Sequence, residues 1–192
     1  MTVPSLMQNH QRKTYVTQLH KVYTEFSQAL LQYQTDKYAV NLTEAGLSSQ
    51  GNFDTFVSDY FKTVQKCDNS LTPCFSDDYK TLNGGGVNFH NGTSYVLASG
   101  SSIRFILNVE GDKIGQVGID INGKQGPNIL GRDLFFIAVY KNGILDDFND
   151  GTAPLTEDER NSIYTSACQG NGNVSGWGCF GKILNDNWEM TY

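Results

Sequence analysis

The sequence predicts an α+β fold: a long N-terminal amphipathic helix packed on an antiparallel sheet of about four strands, with short extra helices and disulfide-closed loops. Three observations lead there. Apolar side chains recur at spacings of three and four from Tyr15 to Tyr33. From Ser94 onward the pattern changes to short apolar runs separated by turn residues. The four cysteines fall into two local pairs, Cys67 with Cys74 and Cys168 with Cys179. A chain of 192 residues with 39% apolar and 12% aromatic content can bury one sizeable core, so residues 1–192 read as a single domain. Within it, 1–36 form the helix, 37–93 a helix–loop insertion, 94–148 the sheet and 149–192 a cysteine-bounded C-terminal region.

In the first helix Tyr15, Val16, Leu19, Val22, Tyr23, Phe26, Leu30 and Tyr33 make one apolar stripe, opposite a face of Gln, Lys, Thr, Ser and Glu. Pro4 sits where proline is tolerated, in a first turn. A second amphipathic segment runs from Asn52, read as its N-cap, to Gln65. Phe53, Phe56, Val57, Tyr60, Phe61 and Val64 form its apolar face, a stripe that core packing explains. Gly84-Gly85-Gly86 is not followed by the Lys-Ser/Thr and helix of a phosphate cradle, and it reads as a flexible linker.

Strands are expected at Tyr95–Ala98, Ile103–Val109, Val117–Ile121 and Leu134–Tyr140. Their short connections make the sheet antiparallel, and Asn142-Gly143 marks a hairpin. Thr156 with Glu159 forms a capping box ahead of a short helix that enters Cys168. Phe180–Leu184 and Trp188–Tyr192 read as a final pair of strands, or a strand and tail, about the Asn185–Asn187 turn.

Four cysteines allow three connectivities. Pairing 67 with 74 and 168 with 179 is favoured, because each bond closes a short loop rich in Asn, Gly, Ser or Pro that little else can hold. Such bonds imply an oxidising compartment. Zinc is the competing use, but neither pair has zinc-knuckle spacing and no histidine lies nearby in sequence.

The net charge of -6 argues against binding nucleic acid or an anionic membrane, both of which require cationic density. No apolar run reaches the roughly 18 residues of a membrane span, and no secretory signal opens the chain. Catalysis finds little support: His10, His20 and His90 are scattered, and neither Gly-x-Ser-x-Gly nor His-Glu-x-x-His occurs. The chain reads as a non-enzyme.

The opening order Met-Thr-Val-Pro-Ser-Leu, a polar basic stretch at Gln11-Arg12-Lys13, then Leu19-His20-Lys21-Val22-Tyr23, resembles the segment that follows the membrane helix of type IV pilin-like proteins. The string Asp120-Ile121-Asn122-Gly123, Gly126-Pro127-Asn128 and Gly131-Arg132-Asp133-Leu134-Phe135 looks like the inter-strand sequence of the same proteins, and the late cysteine pair matches their C-terminal region. The resemblance covers nearly the whole chain and takes in pilins, minor pilins and type II secretion pseudopilins. It implies a fibre subunit, anchored in the inner membrane by an N-terminal helix absent from this chain and then assembled with like or related subunits on the cell surface. Pro4, Leu6, Met7 and Tyr15 would form the assembly interface. The family's cleavage motif and hydrophobic segment do not occur in these residues.

Asp120, Asn122, Asn128 and Asp133 are hard oxygen donors close in sequence, a set that calcium would accept with backbone carbonyls, as in some pseudopilins. The competing reading is local: Asp120 and Asn128 cap turns, while Asp133 pairs with Arg132 or a loop amide. No other cofactor is called for. The rival function is a free, adhesin-like binding module that contacts a glycan or host protein through Trp177.

Overall fold

The computed structural model describes residues 3–149, 151–169 and 176–192, with side chains from Met7 onward. It is an α+β arrangement. Helix α1 (Val3–Asp36) is followed by α2 (Gln50–Tyr60), strands β1 (Thr63–Lys66), β2 (Thr93–Leu97), β3 (Ser102–Glu110), β4 (Lys113–Asp120), β5 (Leu134–Tyr140) and β6 (Leu145–Asp146), then α3 (Glu157–Ile163) and α4 (Cys179–Asn185). The strands form one antiparallel meander in the order β1-β2-β3-β4-β5-β6.

The sheet has six strands rather than about four. β1 occupies residues read as the end of the second helix, which instead closes at Tyr60. Val64 is 67% exposed on the edge strand rather than on the helix's apolar face. β6 is the short return after the Asn142-Gly143 turn, where Gly143 takes φ 84° and Val139 pairs with Leu145. The N-cap of α2 is Ser49, whose hydroxyl accepts from the Asn52 amide; Asn52 sits inside the helix and donates its side chain to the Gly46 carbonyl.

Alternation along the strands decides what faces the helix. Phe105 pairs with Val117 and Val117 with Ile137, while Ile103 pairs with Ile119 and Ile119 with Phe135. All six are fully buried. Against this row lie Leu19, Phe26 and Leu30 of α1 and Phe53, Phe56 and Val57 of α2. Phe53 stacks on Phe105 at 3.7 Å between ring centres, and Phe26 meets Phe56, Phe61 and Phe105 at 5.1 to 6.1 Å. Tyr33 closes the end of the stripe by donating its hydroxyl to the Ala45 carbonyl at 3.0 Å.

The other sheet face carries two smaller clusters. Phe75, Tyr79, Leu130, Leu134 and Phe136 form one; Ala138, Tyr140, Ala153 and Leu155 form the second, and Trp177 packs against both. The triple glycine is not a loose linker: Thr81 donates its backbone amide to the Gly85 carbonyl, and Lys80 bridges to Gly86 across a tight turn.

Both disulfides are those favoured from the sequence, Cys67–Cys74 and Cys168–Cys179. The capping box forms as read, with Thr156 and Glu159 exchanging hydrogen bonds; α3 then passes through one π-helical turn, Tyr164–Cys168. The C-terminal strand pair does not form. Phe180–Leu184 belongs to α4, because Gly178 at φ 92° turns the chain and the disulfide pins Cys179 beside α3.

Candidate functional site

Three sites expected from the sequence can be placed. The first is the free end of α1. At 1.5 Å per residue a helix of 34 residues is about 51 Å long, yet its buried stripe begins only at Tyr15, 7% exposed. Met7 is 68% exposed, and residues 8–11, 13 and 14 are exposed as well. Pro4 and Leu6 lie in the first turns of the same helix, and their side chains fall outside the described ones. Tyr15 accepts from the Gln11 amide at 2.7 Å and roots the free part. Beside it the C-terminal tail leaves a groove of about 610 Å³ between α1 and Trp188–Thr191, with Arg12 and Val16 on one wall and Met190 on the other. Trp188 holds the tail by packing on His20 at 4.2 Å and Tyr23 at 5.0 Å.

The second is the β4–β5 loop. Asp120 ends β4 fully buried, accepting the Asn122 amide at 3.1 Å on one oxygen and the Tyr79 hydroxyl on the other. Asp133 is equally buried and accepts the amides of Asn128 at 2.8 Å and Ile129 at 2.6 Å. The turn-capping reading is thus met for Asp120, while Asp133 takes loop amides rather than Arg132. Arg132 donates to the Tyr192 carbonyl instead. Asn128 caps nothing with its side-chain oxygen; it occupies the left-handed region at φ 57°, which asparagine tolerates. Burial raises the carboxyl of Asp120 to about 7, and the neighbouring Asp133 adds to it; Asp133 is also raised, by burial first. Neither acid has a Lys or Arg within salt-bridge distance among the described residues. The side-chain oxygens of Asn122 and Asn128 are buried without a hydrogen-bond donor. Among the described residues no three His, Cys, Asp or Glu side chains gather as a metal cage, so a cation here would rely on two carboxylates with amide and carbonyl oxygens. Two orphaned amide oxygens beside two acids are donors of the kind a hard cation takes.

The third is the C-terminal cysteine region, of which residues 170–175 lie outside the described ones. Trp177 is half-buried rather than a fully exposed finger, with Phe148 at 5.3 Å and Phe136 at 6.4 Å between ring centres. The anchor of this region is Asp147, fully buried, which accepts the amides of Gly178 at 2.8 Å and Gly181 at 2.7 Å. A Cβ at Gly178 would lie 2.6 Å from the Ile163 carbonyl, so only glycine permits this approach. Asp146 beside it binds Arg160 through both oxygens, at 2.8 and 2.6 Å. Sequence reasoning missed this pair. Its signal was two acids side by side in an apolar run, Ile144-Leu145-Asp146-Asp147-Phe148. Also missed was Lys113, 1% exposed, whose ammonium sits 3.3 Å from Glu110 and 3.8 Å from the Phe148 ring centre. The first disulfide loop has a comparable pin: Arg104 donates to His90, Ser94 and Asn69 from beneath the sheet.

Among the described residues no helix is long and apolar enough to cross a membrane. Comparison with protein-family models, with curated proteins and with solved structures finds no match. The class defined by fold and sites is therefore an α+β domain with a projecting helix and two disulfide-pinned loops.

Proposed function

We propose that this domain is the globular part of a pilin-like fibre subunit, of a type IV pilus or a type II secretion pseudopilus. One observation carries the reading: α1 runs beyond its own globular body, exposed from Met7 to Thr14 except for half-buried Arg12, before its buried stripe begins. An isolated helical segment of that length is marginal in water, because most helical stability in proteins comes from packing. Neighbouring subunits would supply that packing, with Met7 and the face ahead of Tyr15 as the assembly surface. The sheet's far face and both disulfide loops would then point outward. Two disulfides suit the periplasmic and cell-surface setting that such a fibre implies.

Calcium fits this reading as a loop clamp. Asp120, Asn122, Asn128 and Asp133 would hold it, and its charge would offset two acids buried together. No nucleic acid and no catalysis form part of the proposal.

A photo-crosslinking amino acid at Met7 tests it in producing cells. The expected product is a ladder of crosslinked subunits, lost when the residue is placed at buried Phe26 instead. Only uncrosslinked monomer at Met7 would overturn the assembly surface.

A further inference from the structure

Ahead of Glu25, α1 carries Arg12, Lys13 and Lys21 with His10 and His20, and no acid. The whole chain has 14 Lys and Arg against 20 Asp and Glu, so the residues from Glu25 onward hold 11 against 20. The net charge of -6 therefore hides a basic helix end on an acidic body. Folding sharpens this asymmetry. Arg132, from the β4–β5 loop, lies 5.4 Å from the Tyr192 ring centre and donates to the Tyr192 carbonyl, at the end of the tail that walls the α1 groove. That position brings it up to Arg12: burial first, and then the Arg12 charge, hold its guanidinium below the ordinary arginine value. Arg12, Lys13 and Arg132 have no carboxylate within salt-bridge distance among the described residues. Exposed Glu189 is the one acid that lines the groove beside Arg12 and Lys13.

We propose that this basic end of α1, Arg12 and Lys13 with Arg132 beside them, docks on the phosphate groups of an anionic phospholipid surface. Three properties select that partner. Guanidinium forks match phosphate oxygens in geometry as well as charge. Met7, 68% exposed, and the exposed turns up to Thr14 form a projecting rod with little packing of its own, and a basic amphipathic helix gains order at a headgroup layer. A membrane surface meets the helix end alone, whereas a duplex nucleic acid running past it would cross the acidic body and be repelled. The docking does not depend on whether a neighbouring subunit later covers the same helix end: crosslinking at Met7 reads that packing, and lipid binding reads this contact.

Co-sedimentation of the intact chain with vesicles of mixed phosphatidylglycerol and phosphatidylcholine, at low salt and without calcium, reads the docking directly. Half-binding is expected at accessible lipid on the order of 1 to 10 mM, as three or four cations at about fivefold each imply. Vesicles of phosphatidylcholine alone should not bind, and salt of about 1 M, where the Debye length is near 3 Å, should release the protein. Lys13→Gln should weaken binding about fivefold, whereas Lys37→Gln, which removes the same charge from the other end of the same helix, should leave it within about twofold. Both side chains are exposed, so neither substitution should move the melting temperature. Equal effects of the two would overturn the proposal, because net charge and not the helix end would then set the affinity. So would absence of binding to the anionic vesicles, salt-sensitive self-association in its place, or binding of duplex DNA without binding of vesicles.

Discussion

Asp147 shows how one buried side chain organises a region. Folding strips it of water, which pushes its carboxyl up to about 6 even though the amides of Gly178, Gly181 and Phe148 hold the charged form. Because the folded value lies above the unfolded one, near 3.9, the neutral form is favoured on folding. Its contribution to stability is complete below about pH 4 and is lost as pH rises through about 6. Urea denaturation at a series of pH values should show stability falling across that window. Asp147→Asn, which cannot ionise, should flatten the slope; it should also cost about 1 to 3 kcal/mol at pH 5, because one of its amide donors loses an acceptor. An unchanged slope in the variant would place the titration elsewhere. Asp146 and Asp147 were legible only as an oddity, two acids inside an apolar run. Their partners Arg160, Gly178 and Gly181 are 14 to 34 residues distant, which local periodicity cannot reach.

At the level of elements, α1 from Met7 onward divides at Tyr15 into a stretch exposed but for half-buried Arg12 and a stretch with a buried stripe. Removing residues 1–12 should shift the melting temperature by less than about 2 °C, since Met7 and residues 8–11 are exposed and such positions contribute little. Phe26→Ala, in the buried half, should cost about 3 to 5 kcal/mol. Differential scanning calorimetry separates the two, and a large loss from the truncation would mean the free end packs on its own domain. The helix stripe, the four central strands, the Asn-Gly hairpin, the capping box and both disulfides were readable because each rests on a local rule: period, turn chemistry, capping or loop closure. The misread elements are those that tertiary contacts decide. Val64 continues the helical spacing of Phe53 to Phe61, yet Thr63–Lys66 pairs with β2 because Cys67 must reach Cys74 beneath Ser94. Phe180–Leu184 has the residues of a strand, and the disulfide to Cys168 with the amide contacts of Asp147 winds it as a helix. Donor spacing singled out Asp120 and Asp133, and the structure buries both. The burial of Lys113 and Gln116 was not legible, since a polar residue on a strand normally faces water and only the covering loops bury these.

For the molecule as a whole, α1 packs on one face of the sheet and the satellite clusters with their loops on the other. The β4–β5 loop sets two acids on the second face, so calcium should raise the melting temperature. At a concentration a hundred times its Kd the gain is about 2.7 kcal/mol, and Asn128→Ala should reduce it. Identical melting curves with calcium and with chelator would remove calcium from the account. The fibre reading makes a sharper demand, because it requires α1 to continue into an apolar helix that both anchors and assembles. The direct measurement is the sequence of the native reading frame immediately upstream of the codon for Thr2. A fibre subunit would show a Gly-Phe start, an early Glu and about 20 apolar residues joined in phase to α1. An ordinary cleaved signal peptide there, or no export segment, would contradict it.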